Sequence, residues 1–360
     1  MKNEANLGSE SVGKLLFKLS LPAIVAQLIN VMYNMVDRMY IGHIPNVGAS
    51  ALTGVGVTMP VIMAISAFAA LVSMGGAPRS SIMMGKNDKE HAEQILGNCT
   101  ILLFALALIL TIVFMLYGKS ILMLFGASDT TIGFAWDYMR IYTLGTLFVQ
   151  ISLGLNAFIT SQGYAKTSMM TVLIGACCNI ILDPIFIFVF DMGVAGAAWA
   201  TILSQFLSAV LSLVVGLKNF SILHLHREDF TDLKDTAVLH LKTGFPMGFQ
   251  MSVMCIGQLA MQAVVNSLGT AAVAGYTAAS KADQLSVLVN NAMMTAISNY
   301  VAQNFGAGRW ERIRQGVRAC LIQTEAFNLI MCIGILLLRH PIVRMFLSDP
   351  TKEIYHYSDI

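Results

Sequence analysis

The chain is dominated by long apolar stretches that are separated by short polar connectors. Nine of these stretches reach the roughly 20 residues that an α-helix needs to cross the hydrocarbon core of a bilayer. They are predicted at about 20–42, 52–75, 93–117, 132–158, 168–190, 194–217, 241–266, 271–300 and 314–338. Residues 351–360 are interpreted as the start of a tenth. The pattern therefore predicts an all-α polytopic membrane protein.

The composition favours the same class. Hydrophobic residues make up 56% of the 360 positions and charged residues only 12%, whereas soluble domains carry about 25% charged residues. The net charge of +2 gives no reason to expect a nucleic-acid partner. All six cysteines fall in apolar stretches and are interpreted as small buried side chains. The sequence contains no nucleotide-binding or hydrolytic motif, so an enzyme is not expected.

The basic residues are divided unevenly between the two sides of the predicted membrane. Connectors on the N-terminal side hold fifteen Lys or Arg residues, and connectors on the opposite side hold three. Because basic connectors tend to stay in the cytoplasm, the N-terminus is predicted to be cytoplasmic.

Three landmarks recur in the same order at a nearly constant shift, which predicts an internal repeat. The matching pairs are Pro22 with Pro246, 85–90 with 306–311, and 124–129 with 345–349. Each repeat has an even number of helices, six, so the chain returns to the side of the membrane where it started. Both repeats therefore have the same orientation, as in some secondary transporters. The second repeat is predicted to be incomplete, with three helices and a fragment.

The repeat divides the chain into three parts. Residues 1–217 are predicted to form an N-lobe of helices 1–6, and residues 241–360 a partial C-lobe of helices 7–9 with the start of a tenth. The connector at 218–240 is interpreted as a cytoplasmic linker. A solvated linker is favoured over one that lies on the membrane surface, because its charges balance.

Two carboxylates are predicted to lie within the membrane, where an ionisable side chain is costly and usually functional. At 1.5 Å per residue, Asp37 lies ~25 Å from the cytoplasmic face and Asp183 ~22 Å. Asn179 points from the same helix face as Asp183, and Thr201 reaches a similar depth. These groups could bind Na⁺, could share a proton, or could only bond one another between helices.

Further polar residues in the spans suggest a cavity and a bend. Pro184 leaves the carbonyl of Ile180 without its helical partner, which predicts a kink. Four side chains on helices 1 and 4 are predicted to line a substrate cavity: Asn30, Tyr33, Gln150 and Asn156.

The remaining charged residues in the spans are interpreted as mainly structural. Asp137 and Arg140 are predicted to pair at the outer interface, and Arg318 is predicted to pair with Glu325. The sequence assigns no role to Lys281 and Asp283.

Several segments resemble those of the multidrug and toxic compound extrusion (MATE) transporters, especially the DinF-, NorM- and MepA-like members. The matching segments are Leu21-Pro22, Asn34-Met35-Val36-Asp37, Asn179-Ile180-Ile181-Leu182-Asp183-Pro184 and Gly196-Ala197-Ala198-Trp199-Ala200-Thr201. The Asn-x-x-x-Asp-Pro run with a downstream Gly-Ala-Ala segment is the more specific part of this likeness.

The resemblance implies a V-shaped exporter with an outward-opening cavity between two lobes. It implies bending of helix 1 at Pro22. Some family members carry a glutamate in helix 7, where this chain has only Gln250 and Gln258, so ion coupling is expected in the N-lobe. The implied cation site, which would hold Na⁺ if Na⁺ is the coupling ion, consists of Asp37, Asn179, Asp183 and Thr201.

The expected function is a secondary antiporter that exports amphipathic, often cationic, organic compounds in exchange for H⁺ or Na⁺, without another cofactor. It is expected to be a monomer in a bacterial or archaeal plasma membrane, with small molecules and the lipid bilayer as its partners. One alternative is a lipid-linked oligosaccharide flippase, although the N-half has few basic residues in its spans apart from Arg38 and Arg140. The other alternative is a truncated chain that does not transport.

Overall fold

The computed structural model describes residues 10–218 and 267–346, together with individual positions between 238 and 265. A π-helical turn (Ile185–Val189) connects α7 to the segment before α8. The helices of the two continuous parts are α1 (Val12–Gly42), α2 (Gly48–Val57), α3 (Met59–Gly85), α4 (Lys89–Leu124), α5 (Ile132–Leu144), α6 (Thr146–Ser161), α7 (Ala165–Pro184), α8 (Gly193–Lys218), α9 (Thr270–Gly306) and α10 (Trp310–Phe346).

Six helical segments in the described part are long and apolar enough to cross a bilayer. They are α1, α2 with α3, α4, α7 with the π-helical turn, α8, and α10 up to Leu337. The bent pair α5–α6 would make a seventh. The predicted all-α polytopic fold is therefore confirmed. Helix α9 matches the predicted span at 271–300 but is not among the six, and most of the predicted span at 241–266 lies outside the described residues.

Two predicted spans are each built from two helices. The break between α2 and α3 falls at Thr58, whose hydroxyl donates to the carbonyl of Val55 at 2.7 Å, and a proline follows in the first turn of α3. The break between α5 and α6 falls at Gly145 and bends the pair by 56°. A Cβ on Gly145 would lie 2.5 Å from the Ile202 side chain, so this close packing at the bend requires glycine.

The internal repeat is visible in the backbone. The pair α2–α3 spans Gly48–Gly85, and α9 spans Thr270–Gly306, about 221 positions later. The connectors that follow use the same hydrogen bonds: Asp88 N–H donates to the carbonyl of Met83, and Arg309 N–H donates to that of Asn304, both at 2.9 Å. Asn87 and Gly308 have matching positive φ values of 65° and 67°. The parallel repeat predicted from three landmarks is thus present in the fold.

The described part of the N-half has two large buried cores, and a third large core joins it to the C-half. The first core packs α2, α3 and α4 against α5 and α8, and the second packs α3 and α4 against α6. Helix α1 contacts α7 and also contacts α9 and α10. The third core lies near the N-terminal end of α1, where Leu15, Leu16 and Leu19 pack against Ala296 and Tyr300 of α9. Helix α1 therefore belongs to both halves.

One predicted ion pair is wrong. Arg318 and Glu325 are both exposed, and no ion pair joins them in the described part of the chain. Seven residues separate them by ~10 Å along a helix, which is too far for a direct bond. The side chains of Lys281 and Asp283 lie outside the described residues, as do most of 218–240 and all of 351–360.

Candidate cation and substrate site

Asn179 and Asp183 lie together on the buried face of α7. Their exposed fractions are 1% and 0%, and Asn179 Nδ2 donates to Asp183 Oδ1 at 3.2 Å. A spacing of four residues places both side chains on one helix face, as the sequence predicts. Asp183 thus has a donor for one carboxylate oxygen.

The helix widens immediately after Asp183. Pro184 has no N–H to donate, and the following turn is π-helical, with Phe190 N–H donating to the carbonyl of Ile185 at 2.9 Å. Gly196 of α8 lies directly against this turn, since a Cβ there would come within 2.7 Å of its backbone. Isolated π-helical turns occur frequently at functional sites. The sequence predicted a kink here, and the structure shows a widened turn.

Asp37 approaches this region from α1. It is buried, with an exposed fraction of 7%, and lies close enough to Asp183 for each charge to act on the other. Two carboxylates that interact in a medium of low dielectric constant repel each other. The pair therefore favours a bound cation or a shared proton.

Three oxygens of this cluster are buried and have no hydrogen-bond partner among the residues that the structure describes. They are Asp37 Oδ1, Asn179 Oδ1 and Asp183 Oδ2. A buried oxygen without a donor is costly and requires an explanation. All three atoms are acceptors, so the missing partner must be a donor or a cation.

Two cavities adjoin the cluster. One of about 300 Å³ has Asp37 and Thr201 on its wall, and a smaller one of about 30 Å³ has Asn179 and Thr201 on its wall. The smaller cavity has room for one water molecule. The residues that line both cavities are Asn30, Tyr33, Leu153, Thr201 and Gln205.

Two residues at the cavities were not predicted from the sequence. Tyr138 of α5 lies beside Thr201 and lines the larger cavity. Gln205 lies one turn after Thr201 on α8 and lines both cavities. The i, i+4 spacing from Thr201 to Gln205 predicts that both side chains lie on one helix face. The position of Tyr138 instead depends on how α5 packs.

Two residues predicted to line the substrate cavity lie elsewhere. Gln150 is fully buried, and its Nε2 donates to the carbonyl of Ile65 at 2.8 Å. Asn156 accepts from the hydroxyls of Ser168 and Thr171 at 3.0 and 2.9 Å. Neither lines the 300 Å³ cavity, because α6 turns these side chains towards α3 and α7. Their observed contacts are those of helix packing, whereas Asn30 and Tyr33 do line the cavity.

Two further predictions concern the N-half. Pro22 lies within α1, which continues from Val12 to Gly42, and the bend at Pro22 stays a prediction. The predicted pair of Asp137 and Arg140 is confirmed, with Arg140 Nη2 3.0 Å from Asp137 Oδ1.

The donor set suits a small monovalent charge. The described residues contain no cluster of three or more His, Cys, Asp or Glu side chains that could hold a metal ion. The cluster instead offers two carboxylates, an amide oxygen and the hydroxyl of Thr201, which itself donates to the carbonyl of Ala197 at 3.0 Å. Such hard oxygen donors fit Na⁺ or a proton.

Helices long and apolar enough to span a membrane, around a polar cavity with the buried carboxylate of Asp37 on its wall, indicate a membrane transport protein. The model of the MatE family matches residues 22–185 and 246–360, and the chain therefore belongs to this family. Its members are transporters and not enzymes.

Similar proteins come from several bacteria. The chain is 27% identical over 344 residues to the probable multidrug resistance protein YpnP of Bacillus subtilis, a match that covers 94% of this chain and 76% of that protein. It is 24% identical over 340 residues to the multidrug export protein MepA of Staphylococcus haemolyticus, covering 94% and 75%. It is also 24% identical over 355 residues to a FAD transporter of Shewanella oneidensis, covering 97% and 78%.

Solved structures share the fold. A MATE P26A mutant aligns with a TM-score of 0.91 at 22% identity, covering 99% of this chain and 80% of that one. A MATE in the bent conformation aligns with a TM-score of 0.89 at 23% identity, covering 97% and 78%. The chain spans about four fifths of the length of these two proteins.

Proposed function

We propose that this chain is a secondary antiporter that exports amphipathic, often cationic, organic compounds in exchange for H⁺ or Na⁺. The observation that carries the proposal is the set of three buried oxygens, on Asp37, Asn179 and Asp183, without a donor among the described residues. A cation or proton there would complete their bonding and neutralise the carboxylate pair. The names of two relatives, a multidrug resistance protein and a multidrug export protein, support the class of substrate.

Helix α1 is the element that would couple the site to the rest of the molecule. It carries Asp37 towards one end and packs Leu15, Leu16 and Leu19 against α9 at the other end. Pro22 lies between the two and removes one helical hydrogen bond, so α1 bends most easily there. Binding of a cation at Asp37 would change the bend of α1 and thereby the contact between the halves.

The excess of basic residues on one side supports a cytoplasmic N-terminus in a bacterial or archaeal plasma membrane. In this orientation the contact between α1 and α9 closes the cytoplasmic end, and the 300 Å³ cavity lies towards the outside. The parts that move against each other would be the N-lobe (1–217) and the C-terminal part (241–360), joined by the linker at 218–240. A monomer is sufficient for this arrangement, because the proposed site lies within one N-lobe.

The proposal is tested by export of ethidium from proteoliposomes that contain the purified full chain. Asp37→Asn and Asp183→Asn should each abolish export driven by an imposed ion gradient, because the cation then has one carboxylate fewer. Asp137→Asn is the matched control, since Asp137 is half exposed and paired with Arg140 away from the cavity. Wild-type rates in both site variants would overturn the proposal. Repeating the assay with a pH gradient in Na⁺-free buffer separates H⁺ coupling from Na⁺ coupling.

A further inference from the structure

The 300 Å³ cavity is lined by one positive side chain as well as by Asp37. Arg38, the next residue of α1, is exposed and lies on the cavity wall. These two are the charged residues among the described residues that line it. The cavity is therefore not a purely anionic pocket for cations.

Arg38 has no hydrogen bond or ion pair with any residue in the part of the chain that the structure describes. Some other basic side chains of the N-half do form ion pairs: Lys18 lies 3.2 Å from Glu10, Lys89 lies 3.6 Å from Glu93, and Arg140 pairs with Asp137. The adjacent Asp37 acts on Arg38 electrostatically but forms no ion pair with it. A charged side chain within a membrane-spanning helix and without a partner is a functional candidate.

The chemistry of the guanidinium group defines what it can bind. Arginine remains charged under all physiological conditions and presents planar donors that match a carboxylate or a phosphate. The rest of the wall supplies phenol rings from Tyr33, Tyr138 and Tyr142, which suit a flat aromatic body. A volume of about 300 Å³ lies at the lower end of the range for small-molecule sites.

We propose that Arg38 binds an anionic group of the transported solute, so that the preferred substrates are aromatic zwitterions rather than simple cations. The cationic part of such a solute faces Asp37 and its anionic part faces Arg38. The effect of Arg38 on transport rests on the proposed export function, whereas its effect on solute binding does not. The inference makes Arg38 a specificity-determining residue.

A structural role for Arg38 makes a different prediction. Helix α1 ends at Gly42, only one turn later, so a long basic side chain at this position can also extend to the lipid headgroups. A headgroup contact would affect folding or membrane insertion but would not discriminate between solutes.

The two roles are distinguished by a pair of dyes that share one xanthene ring. Rhodamine 110 carries a free carboxylate and is a zwitterion, whereas rhodamine 123 is its methyl ester and is a cation. Binding of each dye to the full chain in nanodiscs is followed by fluorescence polarisation for the wild type, Arg38→Gln, Arg38→Lys and Arg140→Gln. Arg140→Gln is the control because Arg140 is basic and exposed but does not line the cavity.

The expected result is tighter binding of rhodamine 110 than of rhodamine 123 to the wild type. Arg38→Gln should reduce this preference by about tenfold, the effect typical of losing a hydrogen bond to a charged group. Arg38→Lys should retain part of it, and Arg140→Gln should not change it. Equal changes for both dyes, or an unchanged ratio in Arg38→Gln, would overturn the inference. Failure of every variant and of the wild type to export either dye would reject the proposed function while leaving the binding result interpretable.

Discussion

Gly85, the last residue of α3, lies against the backbone of α9, and Gly306, the last residue of α9, lies against the backbone of α3. The two glycines occupy equivalent positions in the two repeats. A Cβ on Gly85 would overlap the carbonyl oxygen of Gln303 in α9, and a Cβ on Gly306 would overlap that of Ile82 in α3. The two helices therefore touch backbone to backbone at this end of the bundle. Any side chain at either position would hold the halves apart.

Gly85→Ala and Gly306→Ala are accordingly expected to weaken the closed contact. Spin labels on Glu90→Cys and Glu311→Cys, which lie in the first turns of the equivalent helices α4 and α10, would report the separation by pulsed electron spin resonance in a background without native cysteines. Each alanine variant should show a longer and broader distance distribution than the parent protein, because the carbonyl oxygens cannot move without moving their helices.

The control for this experiment is Gly334→Ala in α10, where a Cβ would have no atom within 4 Å. That change should leave the distances unaltered. Distances in Gly85→Ala and Gly306→Ala that match those of the parent would show that the glycine contact does not hold the halves together.

The start of α1 is attached to α10 by side chains that bond its backbone. Gln323 Nε2 donates to the carbonyl of Gly13 at 2.8 Å, and Arg312 Nη2 donates to that of Glu10 at 2.8 Å. Gln323→Leu should lower the free energy of unfolding by about 1 kcal/mol, the net value of a typical hydrogen bond. Denaturation in detergent would measure this. Gln315→Leu, on the same helix and with only a 3.5 Å contact to Glu311, should have almost no effect.

Asn156 and Tyr33 should respond to substitution in opposite ways. Asn156→Ala removes the side-chain oxygen that accepts from Ser168 and Thr171, and each lost hydrogen bond costs about 0.5–1.5 kcal/mol. Its thermal stability should therefore fall while the KM for ethidium remains unchanged. Tyr33 lies on the cavity wall, so Tyr33→Leu should raise the KM for ethidium with little loss of thermal stability. A raised KM in Asn156→Ala at normal stability would return Asn156 to the cavity.

The sequence was sufficient for the features that depend on spacing along single helices. Asn179 and Asp183 share a face because they are four residues apart, and counting the rise per residue placed Asp37 and Thr201 near them. The repeat was visible because the turns at 85–90 and 306–311 keep the same backbone geometry.

Features that depend on packing between helices were not predictable in the same way. Gln150 and Asn156 are as polar as Asn30, and their polarity does not reveal that they face other helices beyond the 56° bend at Gly145. Tyr138 reaches Thr201 through the packing of α5 on α8, which no periodicity in either helix encodes. The π-helical turn after Pro184 depends on the space that Gly196 leaves in the neighbouring helix.

The central claim, that Asp37 and Asp183 carry the coupling ion, is tested most directly by running the exchange in reverse. Proteoliposomes are given a substrate gradient without an ion gradient, and movement of H⁺ or ²²Na⁺ in the opposite direction is measured together with exchange of labelled substrate for unlabelled substrate. In the wild type, the substrate gradient should drive one of the two ions. In the double variant Asp37→Asn, Asp183→Asn, substrate exchange should persist while ion movement ceases, because the cavity remains and the cation site does not. Ion movement at the wild-type rate in the double variant would contradict the account.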